Sequence, residues 1–262
     1  MSVQSDFKSS PFALFTSKGG QTSADISLAT LVGVKFASTD SREFTLVQNG
    51  ATALAAGVLV QGPATIGANH TGLAIATAAA TGATNLIVTL GGTVVTANQY
   101  AGGLVTIPTG TNNGRTMKIA SHAAAAATAP LTLALEDPLS SNIAVSGGAA
   151  TLTLNPYGCL NGTNYSTHGV IIAPSSTSTG QLVGVTFYPI AASSATIPSY
   201  GWIQTNGPVA CLATGSATAG LGCMLGDING SVAVHVVATN AQIGRFAVTA
   251  ATNSKNLIML DL

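Results

Sequence analysis

Tyr200-Gly-Trp-Ile-Gln-Thr-Asn-Gly-Pro-Val-Ala-Cys-Leu212 holds the only tryptophan of the chain, Trp202. Side chains alternate between the two faces of an extended strand. Tyr200, Trp202 and Gln204 therefore share one face, and Ile203 lies on the other. Asn206-Gly207 pairs two residues that tolerate positive φ, so a hairpin turn is expected there. Val209 and Cys211 would then begin a second strand. The stretch reads as a β-ribbon with Tyr200 and Trp202 as its packing anchor. An exposed sugar platform is the alternative use of the same two rings.

The same grammar recurs in both directions. Thirty glycines and ten prolines punctuate the 262 residues, with Ala, Thr and Val between them. That suits short strands and tight turns. Phe44–Val47 and Val58–Val60, around Asn49-Gly50, predict a hairpin with a loose loop. "VQNGATALAAG" (47–57) echoes "IQTNGPVACLATG" (203–215), as a duplicated strand–turn unit would. Leu86–Leu90, Leu104–Ile107, Met117 with Ile119, Leu131 with Leu133 and Leu135, and Leu152 with Leu154 predict a run of strands. Ala123–Ala127 is too short for a helix of its own, with Pro130 close behind, and is read as a loop. Val183, Val185 and Phe187, then Val232, Val234 and Val236, then Ile258, Leu260 and Leu262, each share a strand face.

The expected fold is all-β, with short antiparallel strands in a barrel or sandwich, a second inserted β unit and an extended N-terminal arm. Its boundaries are 1–40 for the arm, 41–83 plus 157–262 for the main β-barrel domain, and 84–156 for the inserted hairpin-rich domain. In the arm Phe7, Phe12, Leu14 and Phe15 lie between Ser, Gly and Lys breaks, at a spacing that fits neither helix nor strand. They need a surface to cover them, on this chain's own barrel or on a neighbour.

Charged residues make up 6% of the chain, with eight basic and eight acidic side chains. A typical domain carries roughly a quarter. Duplex binding needs several clustered cations to neutralise phosphates, and here they are scattered, so no nucleic-acid partner is expected. No unbroken run of apolar residues is long enough for a membrane span. The start, Met1-Ser-Val-Gln-Ser-Asp-Phe-Lys8, lacks a basic region before an apolar core, so no signal peptide is expected. So little charge suits a surface buried against partners in an assembly better than one that must keep a monomer in solution.

Constellations that could carry chemistry are weak. Gly110-Thr-Asn-Asn-Gly-Arg-Thr116 has three residues between its glycines and then Arg115, where a phosphate loop needs four and a lysine, so it reads as a turn. His70, His122, His168 and His235 have no second ligand at zinc spacing. Asp227, Ser231 and His235 tempt as a triad, but no Gly-x-Ser-x-Gly elbow accompanies them. Glu136-Asp137 are neighbours that a strand would send to opposite faces, and Pro138 makes them a turn. Asp227-Ile-Asn-Gly230 lacks the further acids of a calcium loop. Cys159, Cys211 and Cys223 read as small buried thiols, with a Cys211–Cys223 bridge as the alternative. The sequons at Asn69, Asn161, Asn164 and Asn229 follow from Asn, Ser and Thr richness. The expectation is no enzyme, no cofactor and no metal.

The aromatic strand, "IQTNGPVACLATG", the Gly226-Asp227 turn and the Val-rich strand after it resemble the C-terminal β-module of tailed-bacteriophage virion proteins of the capsid decoration (cement) type. "TANQYAGGLVTI" (96–107), "GTNNGRTMKIASHAAA" (110–125), "LEDPLS" (135–140) and "LNPYG" (154–158) resemble phrases of the same group. The likeness covers most of 41–262 and is least in the arm. It implies a structural virion protein on the outside of the phage head, stabilising capsomer contacts. Its partners would be the major capsid protein and itself, as a homotrimer. It would be made in the host bacterial cytoplasm and located on the capsid surface. A tail or fibre component, or an adhesive carbohydrate-binding β module, is the alternative.

Overall fold

A computed structural model describes residues 31–64, 67, 70–110, 113–145, 149–160, 165–175, 177–236, 242–249 and 251–262. The fold is all-β. Among these residues the one helix is a single turn, α1 (Tyr165–His168). No helix among them is long and apolar enough to cross a membrane.

Six strands close a barrel of their own: β4 (Leu73–Thr77), β5 (Asn85–Thr89), β6 (Leu104–Thr109), β7 (Arg115–His122), β8 (Pro130–Leu135) and β9 (Ala149–Thr153). They pair antiparallel around the ring in the order β4-β5-β8-β7-β6-β9. Strand alternation builds the interior. Leu131, Leu133 and Leu135 point in while Pro130 and Thr132 face out. Leu86, Val88, Val105, Ile107 and Ile119 complete the packing. Ala123–Ala127 is indeed non-helical, and its Ala125 bridges Val95.

The remaining ten strands form one sheet, organised by β12 (Tyr200–Ala213). The N-terminal half of β12 lies between β2 (Glu43–Gln48) and β11 (Leu182–Thr186). Beyond β2 comes β1 (Lys35–Ala37); beyond β11 come β3 (Leu59–Gln61) and β10 (Ile171–Ile172). The C-terminal half closes a second ring through β14 (Val232–Val234), β13 (Gly222–Leu225), β15 (Gly244–Phe246) and β16 (Ser254–Asp261), which pairs back onto β12. Val209, Cys211, Cys223, Val232, Phe246, Ile258 and Leu260 fill this ring. One strand thus serves two bodies.

Four expectations change. Asn206-Gly207 is not a hairpin turn, because β12 runs straight through it. There one edge of β12 passes from β2 to β16: Asn206 is level with Glu43 of one and Asp261 of the other. The hand-over needs a bulge at Thr205 and a positive φ of 86° at Gly207, whose Cβ position lies 2.9 Å from the Ser41 carbonyl oxygen. The turn propensity is real, but it is used to kink a strand. Second, Phe44–Val47 and Val58–Val60 do not pair with each other; β2 takes β1 and β12, and β3 takes β10 and β11. The 47–57 echo of 203–215 is therefore not a repeated unit in three dimensions. Third, the inserted barrel begins at Leu73 rather than 84, since β4 closes it against β5 and β9. Its sequence, Leu-Ala-Ile-Ala-Thr, carries only two large apolar side chains and is easily passed over. Fourth, the end of the 1–40 arm belongs to the body: Val32 is buried and β1 pairs with β2.

Candidate functional site

The aromatic anchor is found where β12 and β2 meet the 155–160 connection that leaves the six-stranded barrel. Tyr200 is buried with Val32 and Leu46, and Tyr157, Leu160 and Trp202 pack around them. Ile203, on the opposite face, is sealed among Val47, Val60, Val183 and Ile190. The expected alternation holds, but the two anchors are unequal: Tyr200 is buried, whereas Trp202 is half-buried. A fully buried aromatic truncated to Ala costs about 3–5 kcal/mol. Trp202→Ala is expected to cost about half of that, roughly 2 kcal/mol, in urea unfolding.

Beside this cluster a groove of ≈ 430 Å³ opens between the six-stranded barrel and the residues that flank β1 and β11. Val32, Leu104, Leu154, Tyr157 and Leu160 give it an apolar wall, and Lys118 and Gln181 lie at its rim. Glycines allow close packing here, of Gly102 against the 155–160 connection and of Gly103 within the barrel. A Cβ on Gly102 would stand 2.3 Å from Leu160 Cδ1, and one on Gly103 would stand 2.1 Å from the Thr153 carbonyl oxygen. Phe7, Phe12, Leu14 and Phe15, the expected interface residues, lie outside the described residues.

Sequence reading missed a buried polar knot. Gln48 and Asn49 are both fully buried and act as struts, although Asn49 with Gly50 reads as a turn. Gln48 Nε2 donates to the Tyr165 carbonyl (2.9 Å), to Ser193 Oγ (3.1 Å) and to the Asn49 carbonyl, while its Oε1 accepts from the Cys159 N–H (3.1 Å). Asn49 Nδ2 donates to the Thr52 (2.9 Å) and Ala191 (2.7 Å) carbonyls, and its Oδ1 accepts from the Gly50 N–H (2.8 Å). Ser193 Oγ donates to the Asn49 carbonyl and accepts from the Ser199 N–H (2.9 Å). This knot ties β2, the 155–160 connection, α1 and the start of β12. The only sequence signal was a Gln-Asn pair directly after an apolar strand.

A second polar cluster lies within the six-stranded barrel. The Tyr100 hydroxyl is hydrogen-bonded to His70 Nδ1, and His70 Nε2 donates to the Thr93 carbonyl (3.3 Å). The Tyr100 N–H donates to His122 Nε2 (2.9 Å), and His122 Nδ1 donates to the Ala123 carbonyl (2.9 Å). His122 accepts from a backbone N–H and donates to a carbonyl, which only a neutral imidazole can do, and burial favours the neutral form of His70 as well. Burial lowers both pKa values from 6.5, and it pushes the Tyr100 phenol up. The unfolded chain therefore binds more protons than the folded one below the unfolded value. The contribution of both histidines is complete above pH 6.5 and is lost as pH falls below it toward the lower folded values. Thermal melts are expected to stay level from about pH 8 to 7 and to drop below about pH 6.5, before the carboxylates begin to protonate near pH 4.

The remaining candidates serve the fold. Ser231 Oγ is buried and donates to the Ile228 carbonyl (2.6 Å), closing the Asp227–Gly230 turn. Asp227 accepts from Thr214 Oγ1 (3.3 Å). Glu136 pairs with Lys118 at 3.0 Å on the surface. Gly114, at φ 77°, leads the chain back into β7, and its N–H bonds the Ile107 carbonyl. Asn229 Oδ1 accepts from the Ser175 N–H, whereas the sequons at Asn69, Asn161 and Asn164 lie outside the described residues. All three cysteines are free and buried, which removes the Cys211–Cys223 bridge; burial pushes the thiols of that pair up to about 12. Among the described residues no three His, Cys, Asp or Glu side chains gather as a metal site. No protein-family model, curated protein or solved structure matches this chain.

Proposed function

We propose that this chain is a structural virion protein that decorates the outside of a bacteriophage head and stabilises contacts between capsomers. The observation that carries the reading is the surface. Leu104, Leu221, Ile228, Val236, Leu257, Met259 and other large apolar side chains stand exposed on a body with 6% charged residues. Such a surface gains by being covered. A six-stranded barrel and a ten-stranded sheet that closes a second ring through β12 supply the block on which it is displayed. The likeness of its strand and turn phrases to cement proteins supplies the class of partner, the major capsid protein, with a homotrimer as the assembled unit. The role is binding without chemistry: a protein that binds only the assembled shell stabilises that state by mass action.

Within this reading Phe7, Phe12, Leu14 and Phe15 reach a neighbouring subunit or the shell. Purified heads lacking the protein are expected to take up the full chain to a copy number comparable with that of the major capsid protein. Deleting residues 2–24 is expected to lower occupancy sharply and to leave the melt of the isolated protein nearly unchanged. Failure of the full chain to bind heads would refute the role. A collapsed melt in the deletion would return the phenylalanines to the chain's own core. The adhesive reading draws on the partial exposure of Trp202. Glycan binding that is abolished in Trp202→Ala would favour it over the head.

A further inference from the structure

The outward face of β16 has a self-complementary pattern. Ile258 and Leu260 point into the ring, so Lys255, Leu257, Met259 and Asp261 point out, and all four are exposed. The four read cation, apolar, apolar, anion along about 20 Å of strand. Next to them on β12, Leu212 is level with Lys255, Ala210 with Leu257, Pro208 with Met259 and Asn206 with Asp261. That neighbouring strip is uncharged and widens the apolar patch. Arg245 on β15, level with Met259, stands at the rim.

We propose that this face docks on the same face of a second copy of the chain, about a two-fold axis level with Ile258. Antiparallel stacking of the two strands sets Lys255 of each copy opposite Asp261 of the other. It also sets Leu257 opposite Met259, so both apolar side chains are covered. A parallel stack would oppose Lys255 to Lys255 and Asp261 to Asp261, so charge selects the antiparallel arrangement. A two-fold interface uses one patch twice, and the pattern on β16 has that symmetry. The patch is two to three strands wide, or about 10–15 Å. That falls short of a standard interface of about 800 Å² per partner, so the contact is weak for one pair and effective when many copies are held in an array. The contact joins assembled units and is separate from whatever interface forms the unit itself.

Sedimentation of the full chain from about 10 µM to about 1 mM tests it, the range in which contacts of this size dissociate. The weight-average mass at the concentrated end is expected to reach at least a doubling of that at the dilute end, because every copy in a unit carries one such face. Lys255→Asp should abolish the doubling, as should Asp261→Lys, because each opposes like charges. The double variant K255D/D261K restores the complementarity with reversed polarity and should double again. All four residues are exposed, so circular dichroism should find every variant folded. A mass that stays constant over the whole range would overturn the proposal. So would doubling that persists unchanged in both single variants, or a double variant that fails to recover. Head binding is read separately, so loss of one result does not decide the other.

Discussion

Gln48→Leu is expected to cost about 3–5 kcal/mol of folding stability, although leucine nearly matches glutamine in volume. Gln48 is fully buried and meets four groups with one amide. Ser193 and the Asn49 carbonyl keep each other as partners after the substitution. The Cys159 N–H and the Tyr165 carbonyl lose theirs. A buried group left without a partner costs about 1–3 kcal/mol, and two of them account for most of the loss. The rest comes from the lost bond to Ser193. Domains of this kind are stable by about 5–15 kcal/mol in total, so the variant should be marginal at 37 °C. Urea unfolding measures it. A loss below about 1 kcal/mol would mean that water reaches the knot and replaces the amide.

Gly169→Ala is expected to be comparably severe, about 3–5 kcal/mol, for a steric reason. The Cβ would stand 2.3 Å from the carbonyl carbon and oxygen of Asn49 and 2.5 Å from the Gly50 nitrogen. These are backbone atoms and cannot swing aside. The two segments must separate just where Asn49 and Val170 form a parallel bridge. That bridge has two hydrogen bonds of 2.8 Å, Val170 N–H to the Gln48 carbonyl and Gly50 N–H to the Val170 carbonyl. Forced separation adds their loss, about 1 kcal/mol each, to an overpacking cost of about 1–3 kcal/mol. Gly67→Ala is the control: among the described residues no atom lies within 4 Å of its Cβ position, so a change within about 0.5 kcal/mol is expected. The Gly169 and Gln48 variants touch one knot, and their combined effect should be less than additive.

Strand alternation is a local property, and the chain by itself determined much through it. Leu131, Leu133 and Leu135 had to share a face whatever β8 paired with, and the same holds for Ile258 and Leu260 in β16. Glycine and proline frequency likewise specified short strands. The first strand of the inserted barrel was hidden for the opposite reason: only Leu73 and Ile75 mark the inward face of β4, and the alanines beside them give no polar contrast.

Only the tertiary structure decided what the strands do. Asn206-Gly207 has the dihedral freedom of a turn, and local propensity favours one there. Two partners far away in sequence, β2 and β16, hold both halves of β12 extended, and their ladders outweigh the turn. Asn49-Gly50 has the same turn-like composition, but segments more than a hundred residues later bury Gln48 and Asn49 and take up their hydrogen bonds. The outward pattern of Lys255, Leu257, Met259 and Asp261 was written in the sequence. That it faces away from the protein could be known only once β12, β14, β13, β15 and β16 had closed into a ring, because ring closure determines which face of a strand is inside.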